Sequence, residues 1–293
     1  MQTNVDREII LSVIIPTCNR NNTLPRAIYS VLSQNVNGLE VIVVNDTNNP
    51  ISNEILNIAK SYPVIFVTNP GKHGAASTRN YGVSIARGTY ITFLDDDDMY
   101  LPGRLNNMWS VMTQDKYIMV SSGRFYETGD FSTIKPVPKQ KFGEVLLKDI
   151  LYQNDIDIGF MMKRDDFMRF GGFDISYKSL EDWDLILRVL EMGICYKINR
   201  MDYVVNLDPN RPRVSDSDSD SYIKMANMYK NKFGKKWFSH MVTRGLRLSG
   251  QLDMKYVILS ILTQRSLSPF IEYVRQMKNK FSGTHIKNII NFS

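Results

Sequence analysis

The sequence predicts an α/β fold with a doubly wound sheet, and three observations predict it. Four apolar, β-branched runs bounded by turn residues fall within the first ~120 positions. Stretches with helical spacing separate them, in the order that parallel strands with crossover helices require. The runs are continuously apolar rather than alternating, as in strands buried on both faces. At 293 residues, 43% hydrophobic and 23% charged, the chain can bury one large domain, or one domain plus a smaller appendage.

Taken in order, the strands are predicted at Leu11–Ile15, Leu39–Val44, Val64–Val67 and Thr89–Leu94, with helices over Thr23–Ser33, Asn53–Lys60 and Ala75–Ala86. Ligands in such sheets bind beyond the carboxyl ends of the strands. That rule selects Pro16-Thr17, Asn45-Asp46 and Asp95–Asp98. The middle of the chain mixes short strands (Tyr117–Ser121, Arg124–Tyr126, Asp157–Met162) with a proline-bearing loop at Lys135–Lys141. A helix is predicted after Glu181-Asp182, where Trp183, Ile186, Leu187 and Leu190 form an apolar stripe. A strand pair follows at Ile194–Ile198 and Tyr203–Leu207, then a loop rich in Pro, Ser and Asp at Arg211–Ser221. From Tyr222 onward the pattern is helical. The expected division is 1–215 for the α/β domain, in halves 1–120 and 121–215, and 216–293 for a helical C-terminal region.

Composition removes several classes. Nothing in it indicates disorder, a collagen repeat or a disulfide scaffold. Cys18 and Cys195 are far apart and read as free thiols of a reducing compartment. The polar start, Met1 to Arg7, does not read as a secretory signal, and no apolar run approaches the ~20 residues of a bilayer span. A cytoplasmic protein is expected. The net charge of +6 is compatible with a phosphate-bearing substrate or an anionic membrane surface, and no nucleic-acid module is visible.

Four segments carry candidate chemistry, each with a plain structural alternative. Asp95-Asp96-Asp97-Asp98 ends the fourth run, and adjacent carboxylates repel unless a hard cation such as Mg²⁺ or Mn²⁺ offsets them. The alternative is a solvated acidic turn before the helix that starts near Pro102. Asp46 could accept hydrogen bonds from a base or ribose, or simply terminate the strand. Gly71–Asn80 leads into a helix, and its N–H groups with Lys72 and Arg79 would suit a diphosphate; otherwise it is a loop capped by Ser77. Asp182 could be a general base at the mouth of the sheet, or one of the acids common in a first helical turn.

Together these segments resemble family 2 glycosyltransferases, the bacterial inverting enzymes with a GT-A fold. The resemblance rests on Ser-Val-Ile-Ile-Pro-Thr-Cys-Asn-Arg (12–20), Glu-Val-Ile-Val-Val-Asn-Asp (40–46), Ser-Thr-Arg-Asn-Tyr-Gly (77–82), Gly-Thr-Tyr-Ile-Thr-Phe-Leu-Asp-Asp-Asp-Asp (88–98) and Gly-Gly-Phe-Asp followed by Glu-Asp-Trp-Asp-Leu-Ile-Leu-Arg (171–188). It implies a Rossmann-like nucleotide-binding half, a mixed central sheet and a helical C-terminal extension. By position it places Pro16, Thr17 and Asp46 on the nucleotide base, Arg79 on the base or diphosphate, and Asp95 toward the ribose. Asp95 and Asp97 form the motif for a divalent metal, Mn²⁺ or Mg²⁺. Asp182 becomes the base that deprotonates the acceptor, with Glu181 and Trp183 on the acceptor side. Arg211 and Arg213 stand where many relatives carry a His-containing segment, and would contact phosphate or form a lid. The implied donor is a nucleotide sugar, UDP-linked in the family's usual pattern; the implied acceptor is a glycan or lipid-linked glycan of bacterial surface polysaccharide.

Two other readings remain at this stage. A sugar nucleotidyltransferase would show a glycine-rich loop after the first strand, whereas here that loop is Pro-Thr-Cys-Asn-Arg-Asn-Asn. A catalytically silent binding protein on the same fold would have little reason to keep Asp95, Asp97 and Asp182, since buried acids are costly. The basic and apolar residues that alternate from Lys235 to Lys280 fit helices packed on the catalytic domain or a second subunit. The alternative is a peripheral contact with anionic lipid at the inner face of the membrane.

Overall fold

The computed structural model describes residues 9–128, 131, 133–207, 218–264 and 267–282. The predicted strands are present as β1 (Leu11–Thr17), β2 (Leu39–Asn45), β3 (Val64–Thr68) and β4 (Tyr90–Phe93). Between them lie α1 (Leu24–Leu32), α2 (Asn53–Leu56, continued by a 3-10 turn over Asn57–Lys60) and α3 (Ala75–Ile85). The four strands pair in parallel in the order β3-β2-β1-β4. β1 and β2 are buried along their length except at Pro16. The β4 ladder on β1 ends at Ile14, two residues earlier, so a residue without an N–H is accommodated there.

The second half adds β5 (Met99–Tyr100), α4 (Arg104–Met112), β6 (Met119–Glu127), β7 (Ile134–Pro136), β8 (Gly143–Val145) and α5 (Leu147–Ile150). It continues with β9 (Met161–Lys163), α6 (Arg164–Arg169), α7 (Glu181–Val189) and β10 (Cys195–Asn206). β9 joins the halves, antiparallel to both β4 and β6, and the sheet continues through β10, which runs parallel to β6. The result is a mixed sheet of ten strands among the described residues.

Three local expectations are corrected. The two short strands around residues 117–126 are one strand, β6, and the pair at 194–207 is one strand, β10, with register shifts between Ile198 and Tyr203. Gly123 lies against that irregularity, where a Cβ would overlap Met201 Sδ and meet the Arg200 carbonyl at 2.9 Å. Glycine there marks close strand approach rather than a turn. Of the strand predicted over Asp157–Met162 only the end forms, because Asp157 adopts a left-handed φ of 56°.

The chain divides into two compact units, Met1–Pro212 and Arg213–Ser293. The second contains α8 (Ser219–Leu248), broken at Gly234 (φ 78°), α9 (Met254–Gln264) and α10 (Ser268–Ser282). Trp237 is fully buried within it and meets Phe233 edge-on at 4.9 Å. Among the described residues, no helix is long and apolar enough to cross a membrane. Arg211, Arg213 and most of the predicted loop lie outside the described residues.

Candidate active site

β2, β1 and β4 are neighbours in the sheet, so the loops beyond their carboxyl ends open on one edge. The loop after β4 carries the four consecutive carboxylates, and the fold gives them different environments. The Thr17 hydroxyl donates to Asp96 at 2.7 Å, and Arg20 donates to the other Asp96 oxygen at 2.7 Å. Arg20 also reaches Asp97 at 3.1 Å, and Arg26 donates to the Asp97 carbonyl at 2.7 Å. Asp98 is buried and accepts from the Tyr203 hydroxyl (2.6 Å) and the Asn206 N–H (2.9 Å). Burial pushes Asp96 up to about 6 despite Arg20, and burial with the charges of Asp97 and Asp95 raises Asp98 well above the usual carboxylate range. Asp95 and Asp97 keep the most solvent, at 35% and 18% side-chain exposure.

Asp46 sits at the start of α3. It accepts from Asn69 Nδ2 at 2.8 Å and from the Gly74 N–H at 2.7 Å, with His73 Nδ1 at 3.3 Å. Burial opposes its charge, but the donors from Asn69, Thr78 and Gly74 prevail and hold it below the usual carboxylate range. Gly74, not Ser77, is the N-cap residue.

Arg79 projects from the first half of α3 and is 5% exposed. It donates to Asp95 at 2.5 Å and to Glu181 at 2.6 Å, tying the acidic loop after β4 to the start of α7. Its place depends on Gly82, one turn along, where a Cβ would meet Ile14 Cγ2 at 2.6 Å; glycine lets α3 lie close on β1. Asn80, the next residue, donates to the Phe173 carbonyl (2.8 Å) and accepts from the Phe173 N–H (3.0 Å). Arg188 on α7 holds the same Gly-Gly-Phe segment through the Phe170 and Gly172 carbonyls and is itself fixed by Asp184. Beneath, Phe173 packs on Phe93 and Phe167 with centroids 5.1 Å apart in each case. Motifs far apart in sequence are therefore one contact surface.

Asp182 occupies the first turn of α7, just after Leu180, a bulky residue held at φ 69°. Such backbone costs on the order of 1–3 kcal/mol and persists only where surroundings impose it. One Asp182 oxygen accepts from the Asn154 side chain (2.8 Å), the other from the Trp183 N–H (2.7 Å). Asn154 is in turn held by the N–H groups of Ile156 and Asp157, each donating at 3.1 Å. Burial, then the adjacent Glu181 charge, pushes Asp182 up to about 7.

The geometry also places the other residues expected to make contacts. Thr17 is 4% exposed, and its hydroxyl secures the acidic loop through Asp96. Arg79 is buried between two carboxylates. Glu181 is its partner, and Trp183 is 2% exposed with its indole N–H on the Ile150 carbonyl. Arg20 and Asn154 were not singled out by sequence reasoning, because neither an arginine in a polar loop nor an asparagine in Gln-Asn-Asp carries a local signal.

Breaking a buried ion pair from one side costs about 3–5 kcal/mol. Arg79→Met is therefore expected to lower the urea midpoint strongly, with part of the loss recovered by adding Glu181→Gln. An unchanged midpoint would show that the pair contributes no net stability.

The donor set suits a hard divalent ion. Among the described residues no three acidic, His or Cys side chains converge as an all-protein cage. Two partly exposed carboxylates on one loop match an ion that takes one or two carboxylates and completes its shell with phosphate oxygens and water.

The profile of the family described as Glycosyl transferase family 2 matches residues 12–171. An uncharacterized glycosyltransferase of Haemophilus influenzae is 31% identical over 205 residues, covering 65% of this chain and 66% of that protein, just under two thirds of its length. The UDP-Glc:alpha-D-GlcNAc-diphosphoundecaprenol beta-1,3-glucosyltransferase WfaP of Escherichia coli is 29% identical over 192 residues, covering 63% and 72% of the two chains. The crystal structure of S. aureus TarS 1–349 in complex with UDP superposes with a TM-score of 0.66 at 15% identity, over 96% of this chain and 94% of that one, which shows the shared fold. The match sets aside the nucleotidyltransferase alternative: with its profile spanning more than half of the sequence, the chain belongs to glycosyltransferase family 2.

Proposed function

We propose that this chain is an inverting transferase that moves a sugar from a UDP-linked donor to a hydroxyl of a glycan or lipid-linked glycan. The observation that carries this reading is the double ion pair of Arg79. It brings the acidic loop after β4 and the first turn of α7 together, Arg79 reaching Glu181 across 102 positions of sequence. Asp182 lies next to Glu181 in that turn. The printed activity of the E. coli relative, which uses UDP-Glc and a diphosphoundecaprenol-linked acceptor, supports the donor and acceptor classes.

In this reading Asp182 takes the proton from the acceptor hydroxyl, held in register by Asn154 and the Trp183 N–H. The acceptor oxygen forms its bond to the anomeric carbon as the bond to the diphosphate oxygen breaks, and the configuration inverts in one displacement. Asp95 and Asp97 would hold Mn²⁺ or Mg²⁺, which when bound supplies positive charge against the leaving diphosphate. Arg79 keeps Asp95 in place, and Arg20 steadies Asp96 and Asp97. The test is a transfer and hydrolysis screen over nucleotide sugars with Mn²⁺ present. Turnover of a UDP-sugar is expected; turnover of only other nucleotides, or of none, would overturn the donor assignment.

A further inference from the structure

We propose that the outer face of α9 and α10 docks on an anionic lipid surface. Charge is segregated along this chain. Residues 1–212 carry 22 Lys and Arg against 25 Asp and Glu, whereas residues 213–293 carry 14 against 5. The overall +6 thus hides a mildly acidic α/β unit and a strongly basic helical one.

The same helices expose apolar side chains. On α9, Val257 and Ser260 are fully buried, while Met254, Ile258 and Leu262 are 37%, 51% and 74% exposed. Spaced four residues apart, these three form one outward stripe. Leu267, Phe270 and Ile271 extend the exposed apolar surface at the start of α10, at 65%, 42% and 60%. Exposed apolar side chains with cations on the same helices are the composition of an interfacial docking surface. Lys255 and Arg275, both exposed, lie on these two helices. Glu272, the only acid on α10, is met by Arg247 at 3.7 Å and Arg275 at 3.5 Å, so little negative charge opposes an anionic surface.

Charge also selects the occupant. A second copy seated on this face would bring two strongly basic units together, whereas an anionic bilayer supplies the missing negative charge and receives the apolar stripe. Each cation near such a surface is worth about fivefold in partitioning. The inference does not depend on the reaction proposed above.

Co-sedimentation of the full chain with vesicles tests it. Binding is expected to vesicles of phosphatidylglycerol and phosphatidylcholine at low salt, weakening in 0.5 M NaCl, and to be lost with phosphatidylcholine alone. Lys255→Gln and Arg275→Gln should each weaken binding about fivefold, and Ile258→Asp with Leu262→Asp by tenfold or more. All four positions are exposed, and an unchanged circular dichroism spectrum and UDP affinity would show the variants folded. Four results would overturn the inference: no binding to the anionic vesicles, equal binding to neutral ones, undiminished binding of the apolar variant, or a dimer in sedimentation that the same apolar variant dissolves.

Discussion

Asp182→Asn is expected to lower kcat by ~10²–10⁴, the usual loss for a general base, while calorimetry shows UDP binding as in the parent. The parent kcat should rise with pH through about 7, because Asp182 is held up to about 7 by burial and by Glu181 and can accept a proton only when ionised. Asn154→Ala leaves the carboxylate but removes a donor to its charged form, so the midpoint of that rise should move upward with KM little changed. Stability supplies a second readout. A carboxyl whose folded pKa is raised from 3.8 binds its proton more tightly when folded, so stability is lost as pH rises from there through about 7. Asparagine mimics the protonated form at every pH. Asp182→Asn should therefore raise Tm at pH 8 more than at pH 5. Near-normal turnover together with a pH-independent change in Tm would return Asp182 to an ordinary helix-start acid.

The first half of the α/β unit was legible in the sequence because its strands are buried on both faces and its helices separate them at regular intervals. β1 to β4 lie within a few residues of the apolar runs that predicted them. The second half was less legible for a physical reason. Its long strands contain Ser-Ser-Gly-Arg and Asn-Arg-Met-Asp, whose polarity reads as turns, whereas the fold buries Ser121, Ser122, Arg124 and Asp202. Arg104 shows how this is sustained: a fully buried guanidinium pairs with Asp202 at 2.8 Å and also donates to Ser122 and the Gly159 carbonyl. No local pattern announces a partner 98 positions away. The site behaves similarly. Its acids were visible at strand ends, but which are enclosed and which meet solvent depends on Thr17, Arg20, Tyr203 and Arg79, none of which identifies its acidic partner from sequence.

That sorting of the four carboxylates underlies the other large effect expected. Chelation should abolish transfer, with Mn²⁺ or Mg²⁺ restoring it, and Asp97→Ala should lower kcat by ~10³ or more, the scale of several kcal/mol of leaving-group stabilisation. The fold should survive the substitution. Arg20 keeps its 2.7 Å contact to Asp96, and removing a neighbouring negative charge eases ionisation of Asp96 and Asp98. Loss of activity can then be separated from loss of structure by melting curves. A ligand that binds only the folded state raises Tm by mass action, so the parent should be stabilised by UDP with Mn²⁺ more than by UDP alone. In Asp97→Ala that increment should vanish while the unliganded Tm stays near the parent's. The substitution acts on a group that is 18% exposed and sits at the edge of the sheet, not in its core. Full activity in excess chelator, or an undiminished Mn²⁺ increment in the variant, would remove the metal from Asp97 and leave that carboxylate as a partner of Arg20.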